Sequence, residues 1–357
     1  MKKRVVVAMS GGVDSSVTAA LLKEQGFEVI GMTMQIWDYS SFTARNGDTF
    51  GSCCSLDDVY DARRVAEGLH IPFYVINFEK AFQQQVIDRF CDDYLSGVTP
   101  NPCVLCNQTL KFELLLRKAR ELEADFLATG HYARIIEGHQ GYELRKGRDT
   151  NKDQSYFLFT LSQQQMARVR FPLGDLTKEQ VREQATRFDL RVADKQESQD
   201  ICFVPDGDYV RFIEEERGPQ DCSGDIVHVS GRVLARHQGY YRYTVGQRKG
   251  LGIGWSEPLY VVAIDAQTRQ VVVGEKQYLN RKELVLRNCR WNIPVPTEPF
   301  AASCRIRYRH AEQPATILPA GENRFSVHFE QEQAGVTPGQ AAVIYQEDRV
   351  LGGGWIQ

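Results

Sequence analysis

Positions 10–16 read SGGVDSS and follow the apolar run VVVAM directly. No other stretch restricts the fold so much. The apolar, β-branched run is a buried strand, the glycines and small polar residues are a turn, and DSSVTAALLKEQG is a helix ended by Gly26. A strand, a glycine loop and a helix in that order make an anion site. Backbone N–H groups converge at the helix start, and the helix dipole favours negative charge there. Gly11 and Gly12 allow close approach of the backbone, and Ser10, Ser15 and Ser16 offer hydroxyls to phosphate oxygens. The spacing is neither the GxxxxGK[ST] phosphate loop nor the GxGxxG dinucleotide loop. The plainer alternative is an ordinary Gly/Ser turn with Asp14 as a helix cap.

The alternation continues. FEVIGMTMQ, FYVINF and ADFLATGH read as further strands, and LDDVYDARRVAEGLH, KAFQQQVIDRFCDDYLSG and KFELLLRKARELE as helices. This predicts a parallel sheet with helices on both faces, binding ligands beyond the carboxyl ends of its strands. Positions 10–16, 34, 101–106 and 130–131 are expected in loops at that edge. After Cys202 come short Tyr- and Val-rich runs broken by turn residues, PLYVVAIDAQTRQVVVGE among them as a hairpin, and small antiparallel barrels are expected. The predicted organisation is an α/β domain at 1–210, a small central β domain at 211–280 and a C-terminal β-barrel at 281–357.

The formal net charge of -3 announces no global field for nucleic acid, so any such surface must be local. No apolar run approaches the ~18 residues of a membrane span. The run after MKKR is too brief for a signal peptide, so a first strand in a cytoplasmic protein is expected, with no membrane partner. Nine cysteines, an odd count, are expected to be reduced rather than a disulfide framework. Cys103 and Cys106 form a C-x-x-C in TPNPCVLCNQTLKF, and Cys202 sits in KQESQDICF. Three readings compete. They are structural thiols; or they are ligands of an iron–sulfur cluster on Cys103, Cys106 and Cys202; or Cys106 and Cys202 are a thiol pair that transfers sulfur through a persulfide. Cys106 falls near a helix N-terminus, where a thiolate is stabilised.

SGGVDS resembles the pyrophosphate motif of the PP-loop ATP pyrophosphatases, the adenine nucleotide α-hydrolase-like fold, which cleave ATP to AMP and pyrophosphate while adenylating a substrate oxygen. SGGVDSS, NPCVLCN, ATGHYA, KDQSYFL, ESQDICF, YTVGQRKGLG and TPGQAAV, taken in order, are similar to the bacterial tRNA-specific 2-thiouridylase family over essentially the whole chain. That resemblance implies a PP-loop domain, a small β domain and a β-barrel. It implies adenylation of a wobble uridine of tRNA with ATP and Mg2+, then replacement of O2 by sulfur from a persulfide donor protein. It places Ala8, Met9, Ser10, Gly11, Gly12, Val13, Asp14 and Ser15 on the ATP phosphates, and Met34 and Gly130 on the nucleotide. Asn101, Pro102 and Cys103 meet the target base, and Lys152, Asp153, Gln154, His131, Arg307, Tyr308 and Gln340 contact tRNA. Cys106 matches the nucleophile and Cys202 the persulfide carrier. A [4Fe-4S] cluster on Cys103, Cys106 and Cys202 is the alternative. Many members carry an acid where this chain has Cys103; an acid there serves as a general base, a thiol only when deprotonated.

Local charge is consistent with an RNA surface. Residues 231–256 hold five Lys/Arg and no Asp or Glu, interleaved with Tyr240, Tyr241 and Tyr243, and residues 281–312 hold seven Lys/Arg against three acids. Phosphate neutralisation with aromatic stacking would hold RNA there. RIRYRH at 305–310 reads as a strand with Arg pointing outward. The polar segment 38–58, with Cys53 and Cys54, is expected to be a mobile loop. The competing functions are a PP-loop ligase acting on a small molecule and a non-catalytic metal- or RNA-binding protein.

Overall fold

The computed structural model describes residues 2–37, 56–193, 195, 201–204 and 207–357. Cys53, Cys54 and most of the segment 38–58 lie outside the described residues, as do 197–200 of the ESQDICF motif. The chain forms two compact units. The first comprises 1–86, 103–207 and 348–350; the second comprises 87–102, 208–347 and 351–357.

The first unit is built on a parallel sheet. β1 (Arg4–Ala8) lies at its centre, with β2 (Glu28–Gln35) and β3 (Phe73–Asn77) on one side and β4 (Phe126–Ala128) and β7 (Val169–Arg170) on the other. The order is β3-β2-β1-β4-β7. Val5 faces Val29 and Phe126 across the two ladders, and Val7 faces Gly31 and Ala128. Val5, Val6 and Val7 are fully buried, as a strand covered on both faces requires. Each valine so buried contributes about 1.5–3 kcal/mol of hydrophobic stabilisation. Helix α1 (Val13–Glu24) follows at once and packs Val17, Ala19 and Ala20 into the same core as Val181 and Ala185 of a later helix, Lys178–Arg187.

β1 is flanked by β2 and β4, so the chain reverses its direction of winding there. The crevice at the carboxyl end of β1 is therefore the topological switch point. The loops after β1 and β4 meet in it. A Cβ on Gly130, just past β4, would stand 2.9 Å from the Asp14 carbonyl carbon and the Ser15 nitrogen. Only a glycine lets the loop after β4 come that close to the first turn of α1.

One element was not expected. Residues 133–146 form an antiparallel hairpin, β5 (Ala133–Gly138) and β6 (Gly141–Lys146). Its turn is His139–Gln140, with Gly141 at φ +118°. Asp348 closes this hairpin by accepting from Arg134 Nη2 at 2.8 Å and Arg145 Nη1 at 3.1 Å.

In the second unit, β8 (Gly224–His228), β9 (Val233–His237), β10 (Tyr260–Asp265) and β11 (Gln270–Gly274) make a sheet of order β10-β11-β8-β9. The expected hairpin at 258–275 is present, but the sheet is not wholly antiparallel: β11 pairs with β8 in parallel. Residues 238–259 carry the chain away from β9 before β10 begins, and β11 returns beside β8 instead of folding back on β9.

The last six strands are β12 (Asn280–Trp291), β13 (Phe300–Arg305), β14 (Gln313–Pro319), β15 (Phe325–Ala334), β16 (Ala341–Gln346) and β17 (Arg349–Ile356). They run β12-β15-β14-β13-β16-β17, and β12 pairs again with β17 through Leu286 and Ile356, closing an antiparallel barrel. Leu286, Ile317, Val327, Ile344 and Ile356 fill it.

Two expectations about the RNA surface are corrected here. β13 ends at Arg305, so Arg307 and Tyr308 stand in the turn after the strand, Arg307 exposed and Tyr308 half-buried. Tyr240 and Tyr241 are not stacking platforms. Both are buried, their hydroxyls donating to the Leu95 carbonyl and to Glu214 Oε1, and Arg242 is paired with the same Glu214. Arg248 and Lys249 remain exposed. His228 and His237 are held inside the fold, His228 by Ser230 and Glu275 and His237 by the Arg269 carbonyl. No helix among the described residues is long and apolar enough to cross a membrane.

Candidate active site

Gly12 precedes α1 in an extended conformation and brings no side chain to cap it. Asp14 is therefore not the helix cap of the plainer reading, and no side chain caps the first-turn N–H groups. The serines organise the loop. The Ser10 amide donates to Ser15 Oγ at 3.1 Å, the Ser10 and Ser15 hydroxyls lie 3.3 Å apart, and Ser16 Oγ donates to the Gly12 carbonyl at 2.9 Å. Gly11 has φ +72°, and a Cβ there would stand 2.2 Å from the Asp58 carbonyl oxygen of α2 (Leu56–Gly68). Gly11→Ala is expected to cost about 1–2 kcal/mol from the left-handed backbone alone. The backbone collision comes on top of that, and the variant should show a lowered melting temperature and a raised KM for ATP.

A cleft of about 210 Å³ opens at this switch point. Of the residues expected at the nucleotide, Ala8, Met9, Ser10, Asp14, Ser15, Met34 and Gly130 line it. His131 and Gln154, expected to contact tRNA, line the same cleft. His131 is buried; its Nδ1 is 2.6 Å from Thr129 Oγ1 and its Nε2 is 3.5 Å from Lys111 Nζ. Burial first, and then the Lys111 ammonium, hold its pKa well below the ordinary value. The ring is neutral near pH 7 and offers no charge to a phosphate. Gln154 Oε1 accepts the Tyr132 amide. Asp153 is buried and committed to its own loop, accepting from the Gly147 and Ser155 amides and the Ser155 hydroxyl. Lys152 is half-buried beside it.

Three cations in this unit escaped the sequence reading. Lys178 Nζ donates to both oxygens of Asp14, at 2.8 and 3.0 Å, and Tyr132 Oη donates to Asp14 Oδ1 at 2.8 Å. Lys178 opens its helix behind the cap Thr177 in a capping box with Gln180, so LTKEQ signals the helix but not the lysine's target. Lys111 points at His131 from helix residues 106–115. Lys195 Nζ donates to Asp58 Oδ1 and Asp61 Oδ2, each at 2.6 Å, and to the Gly11 carbonyl at 3.2 Å. Burial opposes its charge, but its hydrogen bonds to the Asp58 and Asp61 carboxylates and their negative charge outweigh it and raise its pKa.

The C-x-x-C lies on a helix and not in a loop. Pro102–Leu105, Cys106–Leu115 and Leu116–Glu121 run on as one helix, with Pro102 in its first turn, where a missing N–H costs nothing. Cys103 is exposed and Cys106 half-buried, three positions apart where the α-helical first turn passes into the π-helical stretch Cys106–Leu115. Cys202 is half-buried and is followed by Phe203, which is buried against Phe82 and Trp37 at ring separations of 5.6 and 6.4 Å. None of the three cysteines is in a disulfide. Cys91 and Cys289 differ: burial pushes both thiols up to about 12, and Cys304 higher still, leaving them inert.

Among the described residues no group of three or more His, Cys, Asp or Glu side chains could hold a metal ion, and Cys103, Cys106 and Cys202 are all described. As placed, these thiols do not fit a cluster. Asn101 is buried just ahead of the helix. In the second unit, Gln340 Nε2 donates to the Thr99 and Pro100 carbonyls at 3.2 and 2.8 Å, and the Thr99 amide donates to the Pro338 carbonyl. Gln340 thus grips the turn that leads into the C-x-x-C.

Known families match in three consecutive stretches: the tRNA methyl transferase HUP domain over residues 3–206, the tRNA methyl transferase PRC-barrel domain over 210–275 and the aminomethyltransferase beta-barrel domain over 281–356. The chain is 62% identical to the tRNA-specific 2-thiouridylase MnmA of Geobacter metallireducens over 99% of its own length and 97% of the relative's. It is 61% identical to that of Geotalea uraniireducens, covering 100% and 95% of the two chains. It is 50% identical to that of Carboxydothermus hydrogenoformans, covering 100% and 98%. With near-complete relatives at these identities, the chain belongs to the tRNA-specific 2-thiouridylase family.

Proposed function

We propose that this chain is a tRNA-uridine 2-sulfurtransferase working in two steps at one PP-loop site. The observation that carries the reading is the SGGVDSS loop lining a cleft at the switch point of the sheet, in a chain whose exposed and half-buried cysteines include 103, 106 and 202. ATP is bound through the loop amides, Ser10 and Ser15, with Mg2+ brought in by the triphosphate. Uridine O2 attacks the α-phosphorus, pyrophosphate leaves, and O2 carries AMP. The terminal sulfur of a Cys202 persulfide then attacks C2 and AMP departs. Cys106 thiolate attacks Cys202 Sγ, the S–S bond breaks, and its electron pair stays on the sulfur bound to C2. The products are 2-thiouridine, AMP, pyrophosphate and a Cys106–Cys202 disulfide. A dithiol reductant must reopen that disulfide, and a donor protein must renew the persulfide. Such chemistry belongs in the cytoplasm. Asn101, Pro102 and Cys103 are assigned to the target base. Lys152, Arg307, Tyr308 and the exposed Arg248 and Lys249 are assigned to the tRNA backbone. The domains are drawn at 1–210, 211–280 and 281–357.

The test is a reaction of the purified chain with tRNA, Mg-ATP and a persulfide donor. One AMP and one pyrophosphate per 2-thiouridine are expected, and ATP turnover indifferent to tRNA would refute the reading. With about four phosphate contacts, affinity should fall about 100-fold between 50 and 200 mM salt. Arg307→Ala should weaken binding and lower the salt slope by about one.

A further inference from the structure

Charge in the nucleotide cleft does not cancel. Asp14 and Asp58 line it, and each is already matched, Asp14 by Lys178 and Asp58 by Lys195. His131 lines it too, and burial keeps its ring neutral near pH 7. Lys111 is the one cation among the described residues that line the cleft. Its polar partner there is His131 Nε2, at 3.5 Å. An ammonium has no acceptor, so Nε2 is the accepting nitrogen and the ring proton is on Nδ1, donated to Thr129 Oγ1 at 2.6 Å. A long bond to a neutral ring orients the ammonium and leaves its charge uncompensated. Two of its N–H groups remain for a ligand.

The position of the lysine tells which part of the ligand it meets. Lys111 stands on the helix that opens with the C-x-x-C, five residues after Cys106, which is about 7 Å of helix. The phosphate loop takes the pyrophosphate end of ATP, and Met34 takes the nucleoside. A cation reaching in from the Cys106 helix meets the phosphate between them. We propose that Lys111 is a catalytic residue that donates to a non-bridging oxygen of the α-phosphate, first when uridine O2 attacks and again when AMP departs. The inference rests on the adenylation reading. In the first step the O2–Pα bond forms, and the bond from Pα to pyrophosphate breaks with its electron pair on pyrophosphate. The uridine N3 proton passes to water and returns once sulfur is in place. In the second step the C2–O2 bond breaks with its pair on AMP. Lys111 keeps its proton throughout. It supplies charge that is in place before the reaction and needs no reorganisation during it.

The test is rapid-quench measurement of pyrophosphate release by the full chain with tRNA, Mg-ATP and a persulfide donor. Lys111→Met should lower kcat about 10²–10³-fold, the scale of one lost donor to a developing charge, while KM for ATP stays within about threefold. Lys111→Arg keeps the charge and should recover about tenfold or more of that loss. A lysine with only a structural role would be blind to the atoms of the phosphate. The two diastereomers of ATP with sulfur on the α-phosphate should therefore differ about tenfold in rate in the wild type and in Lys111→Arg, and that difference should vanish in Lys111→Met. Wild-type pyrophosphate release in Lys111→Met, a loss confined to KM, or a diastereomer preference that survives in Lys111→Met overturns the proposal. The adenylation reading is tested separately by one AMP per 2-thiouridine in the wild type, and its failure there defeats that reading before any variant is compared.

Discussion

Cys202→Ser and Cys106→Ser are each expected to lose 2-thiouridine formation by about 10⁴-fold or more, the scale on which loss of a covalent participant is felt. ATP affinity should stay near the wild-type value, because neither thiol lines the nucleotide cleft. Cys202→Ser removes the sulfur carrier. Cys106→Ser leaves the carrier and removes the thiolate that releases sulfur to the base. Cys103→Ser discriminates between routes. Cys103 is exposed in the first turn of its helix and takes no covalent part in the persulfide sequence, so this variant should keep substantial activity. If it lost activity and iron together, the cluster would be restored as the mechanism. Nucleoside analysis of digested tRNA, beside iron and sulfide content of anaerobically purified protein, measures both.

The second large effect is expected at Asp14. Its carboxylate neutralises Lys178, whose side chain is only 10% exposed, and it receives the Tyr132 hydroxyl. Asp14→Ala takes the carboxylate away from a buried ammonium, which costs about 3 kcal/mol, the low end for a broken buried pair because Asp14 itself is 30% exposed. The ammonium would then turn toward the phosphates, so pyrophosphate release should fall to background while tRNA affinity holds. Lys178→Met should fail too, through an unpaired Asp14 that repels the triphosphate. The double variant Asp14→Asn with Lys178→Met should recover stability but not activity. Calorimetric melting separates the two effects. Unaltered pyrophosphate release in Asp14→Ala would contradict the assignment of this loop.

What could be read from the sequence follows from local physics. Val5 to Val7 could only be a buried strand, and SGGVDSS could only be a tight turn into a helix; both are where the pattern put them. The barrel strands showed themselves by apolar alternation and frequent turns. The β5–β6 hairpin did not, because its residues are half-buried and lie inside a run of α/β units, where period-two alternation is weak. Lys178 and Lys195 were illegible for another reason. Their carboxylate partners lie 164 residues away at Asp14 and 137 and 134 residues away at Asp58 and Asp61, and no local pattern encodes a long-range ion pair. Tyr240 and Tyr241 looked like a basic-aromatic RNA surface, but composition cannot tell a ring facing solvent from one anchored on Leu95 and Glu214. Gln340 also holds the turn ahead of Asn101, a partnership 240 residues apart that no local pattern encodes.

The central claim is that sulfur reaches the base by resolution of a Cys202 persulfide by Cys106. The most direct measurement is one turnover of persulfide-loaded protein with tRNA and Mg-ATP in the absence of reductant. Remaining thiols are trapped with an alkylating agent, and the peptides are then weighed. One Cys106–Cys202 disulfide per 2-thiouridine is the expected result. 2-Thiouridine formed in equal amount with both cysteines recovered as alkylated thiols would contradict it.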